Sequence, residues 1–593
     1  MIRKLRRPAL GAGLLLGSLL ALGATAATPT ATVDLPAKAK WHRMTSLGLL
    51  LVGTDDALLL VNGETGQVQW QRDDIKKTLP YNVRDIPGSP IVLVNDWSGT
   101  MAAKVSARGL NIATGQDVFQ TEPEMGQSLG LYPVPGRDLL LNVAQLNQEG
   151  SGIYLTAYET ATGKKLWRTK IAGMMGFQLY PAETGGFIVT KQDLSGHQDP
   201  TFDADTAYLP FQGLMAVDLA TGAIKWNNEF AVAADKDFKK AYAAPVVDGD
   251  TVYASGKGTV YAIDKASGAI RWKTDKILSG IFSSGAISQV LPAQDTVYVR
   301  LGGNFYNYVE KTYELRDPLG VMALDRATGA KKWEYKDAKE GITNLLFLPQ
   351  AGVVMLSDAY KLTGLQLDSA GKASKRFDVP IEFKRKISGG EMAAAGIGAL
   401  SGLMTGGIAG ALQGGLKSTS GKGRLDVPVA LIERKDGSVI VAGKQHLMAF
   451  DPAAQKLNWS TYYPAPGSNS LGLAAMSALT LVAATSYGVS AAQGGMSSWS
   501  ANKSNESNFG NLGAMAQKRF TASQQARDYA YVLTTVTEGK ESGVGLMAIN
   551  LANGEPGAQV LLKDKEPEYA VDDLTGRLYY FNDRKQLLVY QLN

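Results

Sequence analysis

The chain has 593 residues, 45% hydrophobic and 19% charged, with no cysteine and a formal net charge of +5. That is ample material for a large core, and the missing cysteines exclude disulfides, thiol-bound metals and iron–sulfur clusters. Taking the four positive charges of Arg3, Lys4, Arg6 and Arg7 from +5 leaves +1 for everything after residue 26, so the basicity gives no support for nucleic-acid binding.

Residues 1–26 read as a secretory signal: the basic cluster, a short apolar run from Ala9 to Leu22, and the cleavage site Ala24-Thr25-Ala26. The apolar run is too short to span a bilayer comfortably. Without a lipobox cysteine the expectation is an exported, non-acylated protein of the bacterial periplasm or outer-membrane periphery, with secretion as the alternative.

Residues 27–593 read as one repeat array. A polar lead-in reaches Trp41, and the first unit has strands at 49–53 and 57–61, the turn Glu64-Thr65-Gly66 and then Trp70. Ala113-Thr114-Gly115 follows with Phe119 in the tryptophan place, then Ala161-Thr162-Gly163 with Trp167. Three near-identical copies come next. They are Ala216-Val-Asp218-Leu-Ala-Thr221-Gly222-Ala-Ile-Lys-Trp226, Ala262-Ile-Asp264-Lys-Ala-Ser267-Gly268-Ala-Ile-Arg-Trp272 and Ala323-Leu-Asp325-Arg-Ala-Thr328-Gly329-Ala-Lys-Lys-Trp333. A seventh unit is degraded around Asp368 and Gly371, with Phe377 the nearest aromatic. An eighth keeps Asp451 and Trp459, and a ninth keeps only Asn553-Gly554.

Each copy reads as strand, tight turn, strand. Glycine supplies the positive φ of a short hairpin loop, and the Asp and Thr side chains can bond back to the turn backbone. The fixed offset assigns Trp70, Trp167, Trp226, Trp272, Trp333 and Trp459 to docking each unit on its neighbour. Alternating apolar positions such as Val252, Ala254, Val260 and Ala262 predict half-buried strands. Four short antiparallel strands recur in roughly 45 to 60 residues, and such units bury their faces only by stacking. Closing the stack removes open edges, which makes the fold class all-β and the architecture a β-propeller of four-stranded blades. The C-terminal strands Leu578–Phe581 and Leu587–Leu592 lack a last partner, and a spare N-terminal strand, Val33–Trp41, can supply it. This composite brings the count to ten units, with eight as the fallback because propellers usually have about four to eight blades.

Two insertions, 387–420 and 467–527, interrupt the late units. The first contains the uncharged run 392–416, with Gly398, Gly402, Gly406, Gly410 and Gly414 at every fourth residue. The second contains the uncharged run 470–493, with Gly472 and Gly488 on the same spacing, and ends in an amphipathic stretch, 512–527. On helices these residues form one ridge. Each glycine costs a helix about 1 kcal/mol against alanine, which makes sense where another backbone packs on that ridge. Membrane insertion, helix packing without insertion, and a disordered loop are the three readings.

The motif Ala-x-Asp-x-x-Thr-Gly-x-x-x-Trp resembles the repeat of the pyrroloquinoline-quinone (PQQ) propeller superfamily, over nearly all of residues 41–593 apart from the insertions. The resemblance implies one of two branches. The quinoprotein dehydrogenase branch implies PQQ on the axis, usually with Ca²⁺, and in the alcohol dehydrogenases a vicinal cysteine pair that this sequence cannot make. Only three histidines exist, His42, His197 and His446. Asp199, Asp203 and Asp205 are the candidate Ca²⁺ ligands, set against a plain solvated loop, because Ca²⁺ wants six to eight oxygens and their spacing matches no EF-hand. No Ser-His-Asp order, Walker A loop or HExxH is present, so no catalytic residue and no cofactor are expected. The BamB-like branch is non-catalytic. This chain shares its repeat and export, but is longer, carries the insertions and lacks the lipidated cysteine.

The expected function is therefore a non-catalytic periplasmic scaffold that binds envelope proteins in outer-membrane protein assembly, by strand addition or blade loops. One alternative is a PQQ-dependent dehydrogenase. The other is membrane insertion or homo-oligomerisation through the glycine-zipper helices.

Overall fold

The computed structural model describes residues 25–593 except 174–199, 229–242, 278–286, 382–427 and 464–527, and except loop stretches of five residues or fewer. Blade five shows how the repeat folds. Its strands Val246–Asp248, Thr251–Ser255, Val260–Asp264 and Ile270–Lys273 pair antiparallel in chain order. Between the third and fourth, Asp264 Oδ1 accepts the N–H groups of Ala266 and Ser267 and the Ser267 hydroxyl. Gly268 then takes φ 72° and donates its N–H to the Asp264 carbonyl. The same side-chain-closed turn forms at Asp218 and Asp325.

Ten such blades follow one another, at 39–72, 83–120, 124–172, 201–227, 246–273, 287–335, 346–380, 428–462, 529–561 and 568–591. Blades two and three are joined through Glu124↔Val105 and Met125↔Lys104 into one eight-stranded sheet, and the other sheets have four strands. Pro29–Asp34 pairs antiparallel with Gln586–Gln591 and completes blade ten, so both ends of the chain share one sheet. The closing strand is not Val33–Trp41 as a single piece. Pro36, which has no N–H to offer a ladder, splits that segment, and Trp41 falls in Ala39–Met44, the first strand of blade one. In blade nine the turn at Asn550–Gly554 marks Glu541–Asn550 and Pro556–Leu561 as third and fourth repeat strands. Thr25–Ala26 lies outside them, parallel to Ala558 and Gln559.

The middle strands are buried on both sides, not half-buried. Val252, Ala254, Tyr261 and Ile263 pack with Tyr208, Ala216 and Trp226 of blade four. Their alternates Tyr253, Val260 and Ala262 pack with Ile287, Val297 and Val299 of blade six. Each blade is sandwiched between two others, so both faces of its sheet are core. Alternation between buried and exposed survives in the outermost strand, where Trp272 alone is buried among Ile270–Lys273.

Candidate partner-binding face

Each blade is tied to the next by one ring. A Cβ built on Gly268 would sit 2.5 Å from the Trp226 ring, and the Trp226 Nε1–H donates to the Lys265 carbonyl, one residue past the turn Asp of blade five. Trp70 stands in the same way to Gly115 and the Ile112 carbonyl, Trp167 to Gly222 and the Leu219 carbonyl, and Trp272 to Gly329 and the Arg326 carbonyl. Phe119 lies on Gly163, and Phe377 packs against Phe450 of blade eight. Trp333 is buried in the cluster with Val354 and Leu356 of blade seven. Trp459 lies on Gly554, but Arg434 takes the Leu551 carbonyl that the indole would otherwise reach, and Trp459 Nε1 has no partner. At the closing junction the place is held by Ala31, set on Gly66.

In an antiparallel blade the first–second and third–fourth turns share one end. Here that end is short and laced with ion pairs. Lys265 pairs with Asp203 at 2.6 Å, and Lys225 with Asp205 at 3.2 Å. Blade five repeats the arrangement, Arg326 with Asp248 and Arg271 with Asp250. Lys265 holds the Asp203 carboxyl below the usual range, and the Thr206 hydroxyl followed by Lys225 does so for Asp205. These two candidate Ca²⁺ ligands thus belong to a belt of side-chain pairs, and the third, Asp199, lies outside the described residues. Among the described residues no three His, Asp or Glu side chains gather in a group able to hold a metal ion.

The opposite end carries the second–third hairpins and the connections between blades, and here the chain is long. The exception is blade nine, which the chain enters at its second strand from the short-turn end, where Leu551 N–H donates to the Asp528 carbonyl. Connections run from Ala172 to Thr201, Asn227 to Val246, Lys273 to Ile287 and Pro380 to Pro428, and a further one leaves this end at Tyr462 and returns at Tyr529 on the other. Blade six has strands of 12 and 14 residues, Thr296–Asn307 and Thr312–Asp325, where blade five has five and five. Tyr529–Glu538 and Glu541–Asn550 form a similar ten-residue pair. Both insertions leave the wheel from this end, after blades seven and eight; the first returns here and the second returns at the short-turn end. Gly398, Gly402, Gly406, Gly410, Gly414, Gly472 and Gly488 themselves lie outside the described residues. Among the described residues no helix is long and apolar enough to cross a membrane. Loops on a rigid scaffold are where binding usually resides, and this connection-rich face is the candidate site. No single motif announced it, but the distances between one tryptophan and the next unit carried the signal.

Around the axis, polar side chains of the innermost strands brace neighbouring blades. The Gln289 amide accepts from Leu345 N–H at 2.7 Å and donates to its carbonyl at 3.2 Å. Asn344 does the same to Leu431, and Thr201 donates to the Pro245 carbonyl. At the closing junction His42 Nε2 donates to the Tyr569 carbonyl at 3.0 Å, and its ring stacks on Phe581. Burial lowers the His42 pKa, and the bond to Tyr569 offsets only part of that. These groups are occupied with backbone.

The sequence matches the family described as "Outer membrane protein assembly factor BamB" over residues 32–228 and 214–372. Similar solved structures include BamB from Moraxella catarrhalis, 14% identical, with 72% of this chain and 97% of that one covered at a TM-score of 0.30. A quinohemoprotein alcohol dehydrogenase from Comamonas testosteroni is 14% identical, with 95% and 73% covered at 0.27. A europium-containing methanol dehydrogenase is 10% identical, with 74% and 81% covered at 0.26. No curated protein matches the sequence.

Proposed function

Since the chain belongs to the outer membrane protein assembly factor BamB family, we propose that it is a non-catalytic propeller scaffold of the bacterial envelope. It holds partner proteins on its connection-rich face during outer-membrane protein assembly. The observation that carries this reading is the asymmetry of the wheel: one face made mainly of short ion-paired turns, the other bearing the long hairpins and most of the long connections. A periplasmic or outer-membrane-peripheral location accompanies it, with residues 1–26 as the export signal.

The test is co-purification from envelope fractions. The wild-type chain is expected to retain envelope proteins, and replacing residues 303–316 with a two-residue turn is expected to reduce their yield. A purified chain that reduces a dye acceptor from alcohols or sugars once PQQ and Ca²⁺ are added would overturn the reading in favour of a dehydrogenase.

A second reading is self-assembly through the glycine ridges, favoured by the departure of both insertions from the same face, after blades seven and eight. Gly402→Leu with Gly406→Leu should then abolish oligomers or membrane partition while the propeller stays folded. Unchanged oligomer size and partition would remove that reading.

A further inference from the structure

Arg300 occupies a position that three other blades fill with small residues. In blades one, five, six and eight, Gly53, Ser255, Arg300 and Ala442 each pair with the residue four before the turn Asp or Asn, namely Leu58, Val260, Val321 and Leu447. This is the last regular pair before the connection-rich end, and Gly53, Ser255 and Ala442 are buried there. In blade six the strand continues past it into the long hairpin.

Strand alternation sets where the guanidinium goes. Val299 and Leu301 pack toward blade five. Tyr298 packs toward blade seven, stacked on Phe347 with ring centroids 6.0 Å apart. Arg300, two residues on, shares the Tyr298 side. Its Nε–H donates to Ser288 Oγ at 2.6 Å, and that hydroxyl donates to the Gly302 carbonyl at 2.6 Å. Gly303 leaves room beside it: a Cβ there would lie 3.5 Å from Ile342 Cγ2 and 3.9 Å from Arg300 Nη2. Among the described residues no carboxylate pairs with Arg300, and burial pushes its guanidinium down to about 10. The residue is nonetheless partly open to solvent. A desolvated cation without a counter-charge is costly, and an anion supplied from outside would offset that cost.

We propose that Arg300, at the connection-rich end of the junction between blades six and seven, receives a single carboxylate of a partner polypeptide. The assignment rests on the scaffold reading above. With Nε occupied by Ser288, the Nη1 and Nη2 groups remain to grip a carboxylate in the planar geometry that guanidinium favours. The charge match selects the anion. One guanidinium cancels one carboxylate, whereas a phosphate dianion would leave surplus negative charge beside the half-buried strand.

The test uses the full-length chain and the arginine reagent phenylglyoxal, with peptide mapping to read the labelling rate at Arg300. The probes are N-acetylglutamate α-amide for a side-chain carboxylate and N-acetylalanine for a chain end. N-acetylglutamine α-amide is the neutral control, and inorganic phosphate the competing class. With probe at about 10 mM, in excess of a millimolar-range Kd, one or both carboxylates should slow labelling of Arg300 about threefold or more against the neutral control. The carboxylate that protects better names the source.

Equal rates with the neutral control, stronger protection by phosphate, or no labelling at all without probe would each overturn the proposal. The partner assignment is separable. If Arg300→Lys retains envelope partners at wild-type yield while the wild-type site is still protected, the scaffold reading stands and the partner carboxylate falls. If protection is seen but no partner co-purifies with the wild-type chain, the scaffold reading falls, and with it the partner assignment.

Discussion

Trp226 and Gly268 fit only each other. The glycine has φ 72°, and its missing side chain is the space the ring fills. Trp226→Ala should cost about 3–5 kcal/mol in denaturant unfolding, the range for removing a buried tryptophan. Gly268→Ala meets both the ring and the left-handed backbone, and should cost more than about 1 kcal/mol in the same measurement. What the repeated string made legible was the fixed offset between glycine and tryptophan; that the ring lands on the glycine of the following unit was not. The indole hydrogen bond was not, because its acceptor is a carbonyl in the next repeat. Nor did the string show that Ala31 would stand where a ring belongs at the closing junction, or that Arg434 would claim the Leu551 carbonyl ahead of Trp459.

His42 gives that junction a pH dependence. Its folded pKa lies below the ordinary 6.5. Above 6.5 the ring is neutral folded and unfolded, and the stabilising contacts are fully present. As pH falls from 6.5 toward the folded value, the unfolded chain takes up a proton first, so stability is lost. One proton corresponds to at most about 1.4 kcal/mol per pH unit. Between pH 7.5 and 5.5 the unfolding midpoint of the wild-type chain should therefore drop further than that of His42→Gln, which keeps a donor for the Tyr569 carbonyl. Equal drops would place the titration elsewhere.

At the scale of elements, the strand Pro29–Asp34 does for blade ten what a local fourth strand does in the others. It brings Val33, buried with Leu587 and Val589, and the following Leu35 is buried in the same cluster. Each fully buried side chain of that kind is worth about 1.5–3 kcal/mol. A chain beginning after residue 35 should thus unfold at lower denaturant, with the junction of blades ten and one opening first by hydrogen exchange at Leu587 and Val589. Unchanged protection there would mean the wheel closes without the strand. That the two ends of the chain pair was legible from strands left over at each end. The strand boundaries were not, because alternating apolar residues run through Leu35 and on to Ala39 with only Pro36 to mark the break. Half-burial was misread in the middle strands for a related reason. Tyr253 and Tyr261 look like solvent-side residues beside Val252 and Ala262, yet they face a second neighbouring blade.

The whole molecule is a wheel with two unlike faces. Ten blades and a closed ring follow from the repeat; that blade nine lacks the first repeat strand and is entered from the short-turn side does not. The acids Asp203 and Asp205 looked like a loop with ligand chemistry, but their spacing is that of the ion-pair belt, matched by Asp248 and Asp250 one blade later. What the repeat does not encode is the partner, because the residues that would recognise it sit in hairpins and connections that differ from blade to blade.

The most direct measurement is photo-crosslinking in cells from exposed positions on each face. Ser151 and Lys540 lie in second–third hairpins of the connection-rich face, and Thr221 and Ala266 lie in the tight turns of the other. The scaffold account predicts adducts with envelope proteins from Ser151 or Lys540 and none from Thr221 or Ala266. Equal adducts from both faces, or none from either, would contradict it.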